Sequence, residues 1–361
     1  MRSADVGRAC GRETRGDAGN PSSSRAARRA TIGGVRVVHV NDIASVGSRM
    51  VAALREAGVD ARLVEPARPG AGIAYPWKLA TVPARLAALL TAGALLRRES
   101  DDIVHVHYAR LGIVGPLSGR PFVIHCHGTD VRGVSPGSVW GWEIAPVLRR
   151  AALVYFATPD LAPSVRAFRP DAMFMPNPLE IPPPATEPPE RDLLVGVRLD
   201  AIKGVEAIAA TVEAVIRQRP ATSITIVDHG RSVGDVRAAA GRAVRIVPTV
   251  PAAAMAGRLQ RHRLAVGQMR VGSLGNYELE AMAAGVPVAA AFRFASAYDE
   301  APPVLTADDP GTLASRIVAV LEDEPARLAL ASEGRRWIAA HHAPDAVAAR
   351  LIDDYRRILG D

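Results

Sequence analysis

Short apolar runs rich in Val, Ile and Leu alternate along the chain with segments whose apolar residues recur at helical spacing. The runs predict strands and the segments between them predict helices. In the first half of the chain, the predicted strands are residues 35–40, 60–64, 102–106, 121–125, 153–157 and 173–175, and the predicted helices include 47–57 and 79–98. This alternation is typical of an α/β fold built on a parallel, doubly wound sheet.

A stretch with six prolines between Asn177 and Glu190 interrupts the alternation and favours a domain boundary. After it the pattern restarts, with predicted strands at 193–197, 223–227, 244–247, 264–268 and 286–290 and predicted helices at 205–217, 277–284, 314–321 and 325–359. We therefore expect a tail at 1–34 and two facing Rossmann-like domains at 35–178 and 193–340, separated by a linker at 179–192. A terminal helix is expected at 341–361. A ligand is expected in the cleft between the domains, at the carboxyl ends of the strands.

Composition and charge narrow the class of protein. With 361 residues, 48% hydrophobic and 22% charged, the chain has the size and composition of two ordinary globular domains. Residues 1–34 hold seven Arg against three acidic residues, so only about +3 of the formal net charge of +7 belongs to the rest, which is too little to indicate a nucleic-acid partner. This tail lacks apolar periodicity and the apolar core of a secretory signal, so it is expected to be disordered.

The two cysteines, Cys10 in the tail and Cys126 in a predicted strand, do not indicate a disulfide framework, so a cytoplasmic location is expected. The most apolar window, 79–96, is about the minimum length for a membrane span, and its interior Arg85 would be costly there. Trp77 before the window and the arginines at 97–98 after it could make an interfacial helix with peripheral membrane contact. A buried or half-buried helix of an α/β domain is the favoured interpretation.

One lysine indicates a phosphate site. Of the 44 basic residues only Lys78 and Lys203 are lysines, so a retained lysine is informative. Lys203 ends a turn between a predicted strand and a predicted helix, five residues after Arg198. Helix amide groups and two cations converge in such a turn, which favours phosphate binding, whereas a solvated loop is the alternative.

Two His-x-His pairs, His105/His107 and His125/His127, lie near the ends of predicted strands, where alternate residues share a face. Four imidazoles could make a zinc site, but no accompanying carboxylate pattern is apparent and we expect no metal. His127 also opens a glycine turn that ends at Asp130. It could hydrogen-bond a ligand or stabilise charge, with Asp130 orienting it or capping a helix; a satisfied loop histidine is the alternative.

A second loop of interest runs from Gly272 into the predicted helix at 277–284. Asn276 predicts an N-cap, which would put Glu280 in the first helical turn. A carboxylate there could serve only the helix dipole, or it could bind both hydroxyls of a ribose. The chain has no Asp-x-Asp motif, Walker A loop or Gly-x-Gly-x-x-Gly, which disfavours Mg-bound phosphate, NTPases and standard dinucleotide enzymes.

Taken together and in order, segments 102–107, 125–130, 177–178, 197–204 and 279–287 resemble the retaining glycosyltransferases of the GT-B fold, family 4. The resemblance covers about residues 35–359. It implies that Arg198 and Lys203 neutralise the donor diphosphate, that Glu280 binds the donor ribose, and that His127 lies near the sugar and the acceptor.

The same resemblance implies that Gly230 and Gly275 contact the donor and that Gly47 and Asp130 belong to a possible acceptor or phosphate loop. It also implies that the last helix crosses back to brace the first domain. The chain departs from the family in two places. Gly272 replaces a glutamate that usually contacts the sugar, and the loop at 41–48 keeps only one glycine of the usual pair, Gly47.

The expected function is transfer of a sugar from a nucleotide-diphosphate sugar to an unidentified acceptor with retention, without metal or other cofactor. Arg198 and Lys203 would stabilise the leaving diphosphate. No residue is placed as a covalent nucleophile, so a front-face reaction is expected. The alternatives are a nucleotide-sugar epimerase or phosphorylase of the same fold, or a non-catalytic nucleotide-sugar-binding protein, which Gly272 motivates. The acceptor could be a glycan, a lipid-linked sugar or a small molecule.

Overall fold

The computed structural model describes residues 34–73, 76–241 and 244–360. The tail predicted at 1–34 lies outside these residues except for Gly34. The strands within the described residues form two separate sheets, and every strand pair in both sheets is parallel. The predicted α/β fold with two Rossmann-like domains is therefore confirmed.

The first sheet has six strands, β1 (Arg36–Val40), β2 (Asp60–Val64), β3 (Ile103–His107), β4 (Phe122–Cys126), β5 (Leu153–Phe156) and β6 (Met173–Phe174), in the order β2-β1-β3-β4-β5-β6. Its helices are α1 (Val46–Glu56), α2 (Val82–Arg98), α3 (Val114–Ser118), α4 (Val139–Arg150) and α5 (Ala162–Arg166). Helix α1 packs on one face of the sheet and α2 to α5 on the other. The sheet is thus covered on both faces, as its apolar strands require.

The second sheet has five strands, β7 (Arg191–Val195), β8 (Ile224–Val227), β9 (Val244–Val247), β10 (His262–Val266) and β11 (Val288–Ala289), in the order β11-β10-β7-β8-β9. Its helices are α6 (Val205–Gln218), α7 (Val233–Ala240), α8 (Ala252–Gln260), α9 (Asn276–Ala283), α10 (Pro310–Glu322) and α11 (Glu324–His341). One further helix, α12 (Pro344–Leu359), ends the described chain.

Helix α12 crosses back to the first domain, as the family resemblance implied. The helical tail expected at 325–359 is broken into α11 and α12 because Ala343 precedes a proline and is extended, with ψ 131°. Beyond the break, Val347, Leu351 and Tyr355 are buried in one apolar cluster with Met50 of α1. The last helix therefore completes the core of the first domain.

The proline-rich linker is bound to the second domain rather than free. The Leu179 N–H donates to the His342 carbonyl at 2.9 Å, and Arg335 of α11 donates to the Pro182 carbonyl at 2.9 Å. Strand β7 begins at Arg191, inside the range predicted for the linker. Movement of the domains about this stretch stays a prediction.

The prediction that the apolar helix at 79–98 is buried or half-buried is wrong. Its first residues form a 3-10 turn, and of α2 only Ala92, Gly93 and Leu96 are buried. The physical reason is that α3, its main neighbour, has five residues and covers only one edge of a helix of 17. Within the described residues, 79–98 is also the one helical segment long and apolar enough to cross a membrane, and 11% of its apolar window is buried.

Candidate functional site

The carboxyl ends of the two sheets face a shared cleft that holds a cavity of about 690 Å³. The first domain lines it with the loop after β1, Tyr108 after β3 and the turn at 127–132 after β4. The second domain lines it with the turn at 196–203 after β7 and the loop that leads into α9. This is the position in which doubly wound sheets bind ligands.

The turn that carries the two predicted phosphate ligands is fixed by an aspartate. The Asp200 carboxylate accepts from the Lys203 N–H at 3.3 Å and from Arg198 Nε at 2.6 Å. Both Arg198 and Lys203 line the cavity. The Lys203 ammonium lies 3.7 Å from the point where a β-carbon on Gly275 would stand, so it faces the N-terminus of α9. Two cations and a helix N-terminus thus lie on one side of the cleft, which suits a phosphate.

The two predicted donor-binding glycines have different places. Gly275 lines the cavity and is the N-cap of α9. Gly230 does not line it. A β-carbon on Gly230 would stand 2.2 Å from the Leu199 carbonyl oxygen, and its φ is +120°. Gly230 therefore lets the loop after β8 pack against the turn that carries Arg198.

The prediction that Asn276 is the N-cap is wrong, because α9 starts one residue earlier than expected. The first-turn acid is Glu278, whose buried carboxylate accepts the N–H groups of Gly275 at 2.9 Å and Gln268 at 2.8 Å. The N–H groups at a helix start and in the loop before it have no acceptor within the helix, and here the Glu278 carboxylate accepts hydrogen bonds from both. Glu280 consequently lies in the second turn.

Asn276 instead bridges the two domains. Its side-chain oxygen accepts from Asn177 Nδ2 at 2.8 Å, and its Nδ2 donates to the Ala44 carbonyl at 3.1 Å. A second bridge joins Ser273, whose hydroxyl donates to Asp160 of the first domain. Asp160 also pairs with Arg132 at 2.7 Å. The loop before α9 is therefore fixed from both sides of the cleft.

Glu280 lines the cavity and accepts from Arg49 Nη2 at 2.6 Å. Arg49 lies on α1, so this ion pair also joins the domains. Sequence reasoning missed Arg49 because an arginine within an amphipathic helix carries no local signal that distinguishes it from a solvated one.

His127 lines the cleft, but Asp130 does not touch its ring. The buried Asp130 carboxylate accepts the N–H groups of Ala109 and Gly128 at 2.8 Å each and that of His127 at 3.1 Å. Asp130 therefore shapes the glycine turn rather than orienting the imidazole. Burial lowers the pKa of His127 to about 3, so the ring is neutral near pH 7 and can exchange hydrogen bonds but does not supply positive charge.

His127 is the cleft end of a hydrogen-bonded chain in the core of the first domain. Its Nε2 contacts His107 Nδ1 at 2.9 Å, and His107 Nε2 contacts His39 Nδ1 at 2.9 Å. His39 Nε2 contacts the Tyr355 hydroxyl at 3.2 Å, which contacts His105 Nδ1 at 2.6 Å. Each contact between two imidazole nitrogens needs one N–H and one lone pair. The tautomer of each ring in the chain is therefore set by its neighbours.

Together with His125, these histidines form two overlapping sets of three whose nitrogens lie within 4.8 Å of one another: His39, His105, His107 and His107, His125, His127. Such a set could ligate a metal. At 2.9 Å, however, His39 Nδ1 and His107 Nε2 are at hydrogen-bonding distance, so one of them carries a proton that a metal would have to displace. The rings fit a shared proton chain better than a preformed metal site.

Gly47 is not among the residues that line the cavity. A β-carbon there would stand 2.8 Å from the Asn41 carbonyl oxygen, so the glycine lets α1 pack against the preceding loop. The cavity is lined instead by Ala44 and Ser45, which have φ of 49° and 60°. Residues other than glycine rarely adopt such φ values, and they cluster at functional sites. No sequence signal marks them, nor does one mark Tyr108, with φ 91°.

Gly272, at the position of the missing family glutamate, has a φ of +79°. Its N–H donates to Gln268 Oε1 at 3.1 Å. The three atoms nearest to a β-carbon there would all belong to the side chain of Arg293, the nearest at 3.4 Å. Space is therefore available, but the backbone conformation favours glycine over a glutamate.

Comparison with protein families agrees with this architecture. Residues 46–180 match the model of Glycosyltransferase Family 4, and residues 209–353 match a model described as Glycosyl transferase-like. The first range falls mainly in the first domain, and the second extends from α6 into α12. No curated protein matches the sequence.

Solved structures share the fold. Sucrose-phosphate synthase from Thermosynechococcus elongatus is 17% identical with a TM-score of 0.69, over 90% of this chain and 99% of that one. Anabaena HepE in complex with UDP-glucose is 14% identical with a TM-score of 0.63, over 88% and 98%.

A Staphylococcus aureus TarM variant in complex with UDP and α-GlcNAc-glycerol is 14% identical with a TM-score of 0.61. The match covers 75% of this chain, which spans about 59% of the length of TarM. At these identities the likeness establishes the fold. With the two family matches, it gives a chain of the GT-B fold with a Glycosyltransferase Family 4 domain at residues 46–180 and a glycosyl transferase-like domain at residues 209–353.

Proposed function

We propose that the protein transfers a sugar from a nucleotide-diphosphate sugar to an acceptor hydroxyl, with retention of the anomeric configuration and without a metal ion. The observation that carries the proposal is that Arg198, Lys203 and the N-terminus of α9 line one cleft together with Glu280. A donor of this class needs cations and helix amides for its diphosphate and a carboxylate for its ribose.

The charges of this site suit the leaving group. As the bond between the anomeric carbon and the phosphate breaks, negative charge grows on the diphosphate. Lys203 offers a compact ammonium and Arg198 a planar guanidinium held by Asp200. Cations placed before the reaction stabilise this charge strongly in a cleft that excludes water. They can take the part of a divalent ion, which supports metal independence.

The acidic residues of the cavity support a front-face displacement. Among the described residues that line it, the carboxylates are those of Glu278 and Glu280. Glu278 is held by two backbone N–H groups and Glu280 by Arg49. Neither is left free as a nucleophile. In the proposed step, the acceptor oxygen bonds to the anomeric carbon on the face that the phosphate leaves, and a phosphate oxygen takes the proton of the acceptor.

His127 would act as a neutral hydrogen-bonding group beside the transferred sugar. Its Nε2 is already engaged with His107, so Nδ1 is the ring atom left for a ligand. The neutral state follows from its pKa of about 3. This role is one of positioning and needs no proton transfer by the ring.

Two properties can be narrowed as starting points for experiment, namely the nucleotide of the sugar donor and the cellular location of the protein. HepE was solved with UDP-glucose and TarM with UDP, so UDP-sugars are the first donors to test. A cytoplasmic location is proposed because Cys126 is a buried free thiol in a chain without a disulfide pattern. The acceptor stays open among glycans, lipid-linked sugars and small molecules.

Gly272 supports one alternative of another class, a nucleotide-sugar-binding protein without turnover, because the side chain that usually contacts the sugar is missing. An epimerase of the same fold is a further alternative. Formation of an epimeric donor without any acceptor would favour the epimerase. Binding without turnover across a broad acceptor panel would favour the binding protein.

The test begins with a thermal-shift screen of nucleotide sugars, since a ligand at 100 times its Kd adds roughly 2.7 kcal/mol to the free energy of unfolding. The donor that binds is then incubated with an acceptor panel, with and without EDTA, and the anomeric configuration of the product is read by NMR. A retained product formed in EDTA is expected. An inverted product would overturn retention, and loss of turnover in EDTA would overturn metal independence.

A further inference from the structure

Helix α2 presents an apolar face to solvent. Five apolar side chains are between 45% and 56% exposed: Leu79 just before the helix, and Val82, Leu86, Leu90 and Leu95 within it. Positions 82, 86 and 90 are four residues apart and so share one side of the helix. A water-facing side of a helix is normally polar. We refer to Leu79, Val82, Leu86 and Leu90 as the apolar stripe, since Leu95, five residues beyond Leu90, lies on another side of the helix.

No charge of α2 interrupts the apolar stripe. Arg85 is the one charged residue of this helix before Arg97, and its guanidinium donates to the carbonyls of Pro69 at 2.9 Å and Gly70 at 3.4 Å. It is thereby turned to the loop beside the helix. Among the described side chains of α2, none then places a charge on the stripe over about three helical turns.

Tryptophans extend this surface towards the cleft. Trp77 precedes α2 and is 76% exposed, while Trp142 in the first turn of α4 is 72% exposed and Trp140 53%. Helices α2 and α4 pack on the same face of the first sheet, and both begin at the carboxyl edge of its strands. The three indoles therefore lie near the edge that borders the cleft. Tryptophan is the side chain most typical of the boundary between lipid tails and water.

The charge of this layer is strongly positive. Helices α2 and α4 carry five arginines, Arg85, Arg97, Arg98, Arg149 and Arg150, against one acidic residue, Glu143. The last four arginines are exposed at the ends of the two helices. Such a combination of apolar stripe, exposed indoles and arginines fits an anionic bilayer surface. It does not fit a second copy of the same layer, because two sets of arginines would then face each other.

We propose that the α2–α4 layer docks the protein onto an anionic lipid bilayer, with α2 lying in the interfacial plane. The leucines of the stripe enter the boundary between headgroups and acyl chains, and the arginines contact lipid phosphates. Docking in this way places the mouth of the cleft beside the headgroups. The inference goes beyond the proposed sugar transfer and does not depend on it.

The experiment is sedimentation of the full chain with vesicles of phosphatidylcholine, or of phosphatidylcholine mixed with phosphatidylglycerol. The wild type is expected to sediment with the anionic vesicles and much less with the neutral ones. The double variant Leu86→Gln/Leu90→Gln should lower the partition coefficient by at least about tenfold, since each leucine buries apolar area in the bilayer. Trp142→Ala, on the other helix, should lower it as well.

The matched control is Leu328→Gln, which removes a leucine that is 54% exposed on α11 of the second domain. It should bind vesicles as the wild type does, and all variants should keep the wild-type Tm because the altered side chains face solvent. The proposal is overturned if the wild type stays in solution with anionic vesicles, or if the double variant binds them equally well. It is also overturned if ultracentrifugation shows a dimer that the double variant dissociates and no vesicle binding, because the stripe would then join two copies.

Discussion

Arg49 of α1 and Glu280 of α9 form an ion pair of 2.6 Å that joins the two domains across the cleft. Glu280 is also the carboxylate proposed to bind the ribose of the donor. Both side chains are about one-fifth exposed, at 23% and 18%. The guanidinium and the ribose hydroxyls would compete for the same oxygens. Donor binding therefore exchanges an inter-domain ion pair for hydrogen bonds to the ligand.

This exchange predicts different results for the two partners. Glu280→Ala should weaken binding of nucleoside diphosphates at least about tenfold, because the ribose loses hydrogen bonds to a charged acceptor. Arg49→Ala should leave that affinity equal or higher, because the competitor is gone. Each variant should lower the Tm by no more than about 4 °C, since one half-buried ion pair is lost in either. Calorimetric titration with UDP and GDP distinguishes them, and equal losses in both variants would refute the ribose assignment.

Lys203 should matter mainly for the chemical step. Removing one member of a buried pair of opposite charges, here the lysine that pairs with a donor phosphate, typically costs about 2–5 kcal/mol of interaction free energy. At about 1.4 kcal/mol per decade, Lys203→Ala should lower kcat/KM by roughly 30- to several-thousand-fold. Lys203→Arg should recover part of this, because a planar guanidinium does not reproduce a compact ammonium.

The control for Lys203 is Arg217→Ala, which removes an exposed cation at the far end of α6. Its kcat/KM should equal that of the wild type. Turnover of a donor that the wild type accepts is the measurement. Equal kcat/KM for Lys203→Ala and the wild type would remove the phosphate role of this lysine.

The buried histidines should make the protein sensitive to acid. Burial lowers the pKa of His39 and His127 to about 3 and that of His342 to about 4, and it lowers the pKa of His105, His107 and His125 as well. Because the unfolded chain takes up these protons first, near pH 6.5, stability is fully present above that pH and is lost as the pH falls. Each histidine contributes up to about 1.4 kcal/mol per pH unit. Asp130 and Glu143, whose pKa burial raises, act with the opposite sign, but they are two groups against seven when His262, whose pKa burial also lowers, is included.

Urea unfolding at pH 8, 7 and 5.5 tests this expectation. The free energy of unfolding should be nearly the same at the two higher values and several kcal/mol lower at pH 5.5, as several histidines bind protons in the unfolded state. A free energy that is unchanged at pH 5.5 would show that these rings are not held neutral in the folded protein.

Restoring the family glutamate should cost stability. Gly272 has a φ of +79°, and a residue with a β-carbon there costs roughly 1–2 kcal/mol. Gly272→Glu should therefore lower the Tm by about 2–8 °C. Gly257→Glu is the control, because this glycine of α8 has open space around it and helical φ. If Gly272→Glu melted no lower than the control, the loop would not require glycine.

The fold was predictable because its signals are local. The strands at 60–64 and 244–247 have the predicted bounds, since apolar runs and turn residues define them. Strands β7 and β10 begin two residues before their apolar runs, at Arg191 and His262. These two residues pair with each other in the sheet, so their strand conformation comes from the neighbouring strand and not from their own sequence.

The site could be predicted only where its residues lie together in one continuous segment of the sequence. Arg198 and Lys203 lie in one strand–turn–helix unit, and such a unit can be recognised from spacing. The partners of Glu280 and His127 cannot be recognised from spacing, because they are far away in the sequence. Arg49 is 231 residues from Glu280, and the histidine chain runs through Tyr355, which is 316 residues from His39. Only the packing of the two domains and of α12 brings these groups together.

The position of Tyr355 has a consequence for biosynthesis. Domains generally fold in order of their emergence from the ribosome. Here the core of the first domain and its row of histidines are covered by α12, which is the last described element to be made. The core of the first domain is then incompletely packed until the whole second domain has been translated. Loss of the final helix by a premature stop would therefore damage the end of the molecule that was made first.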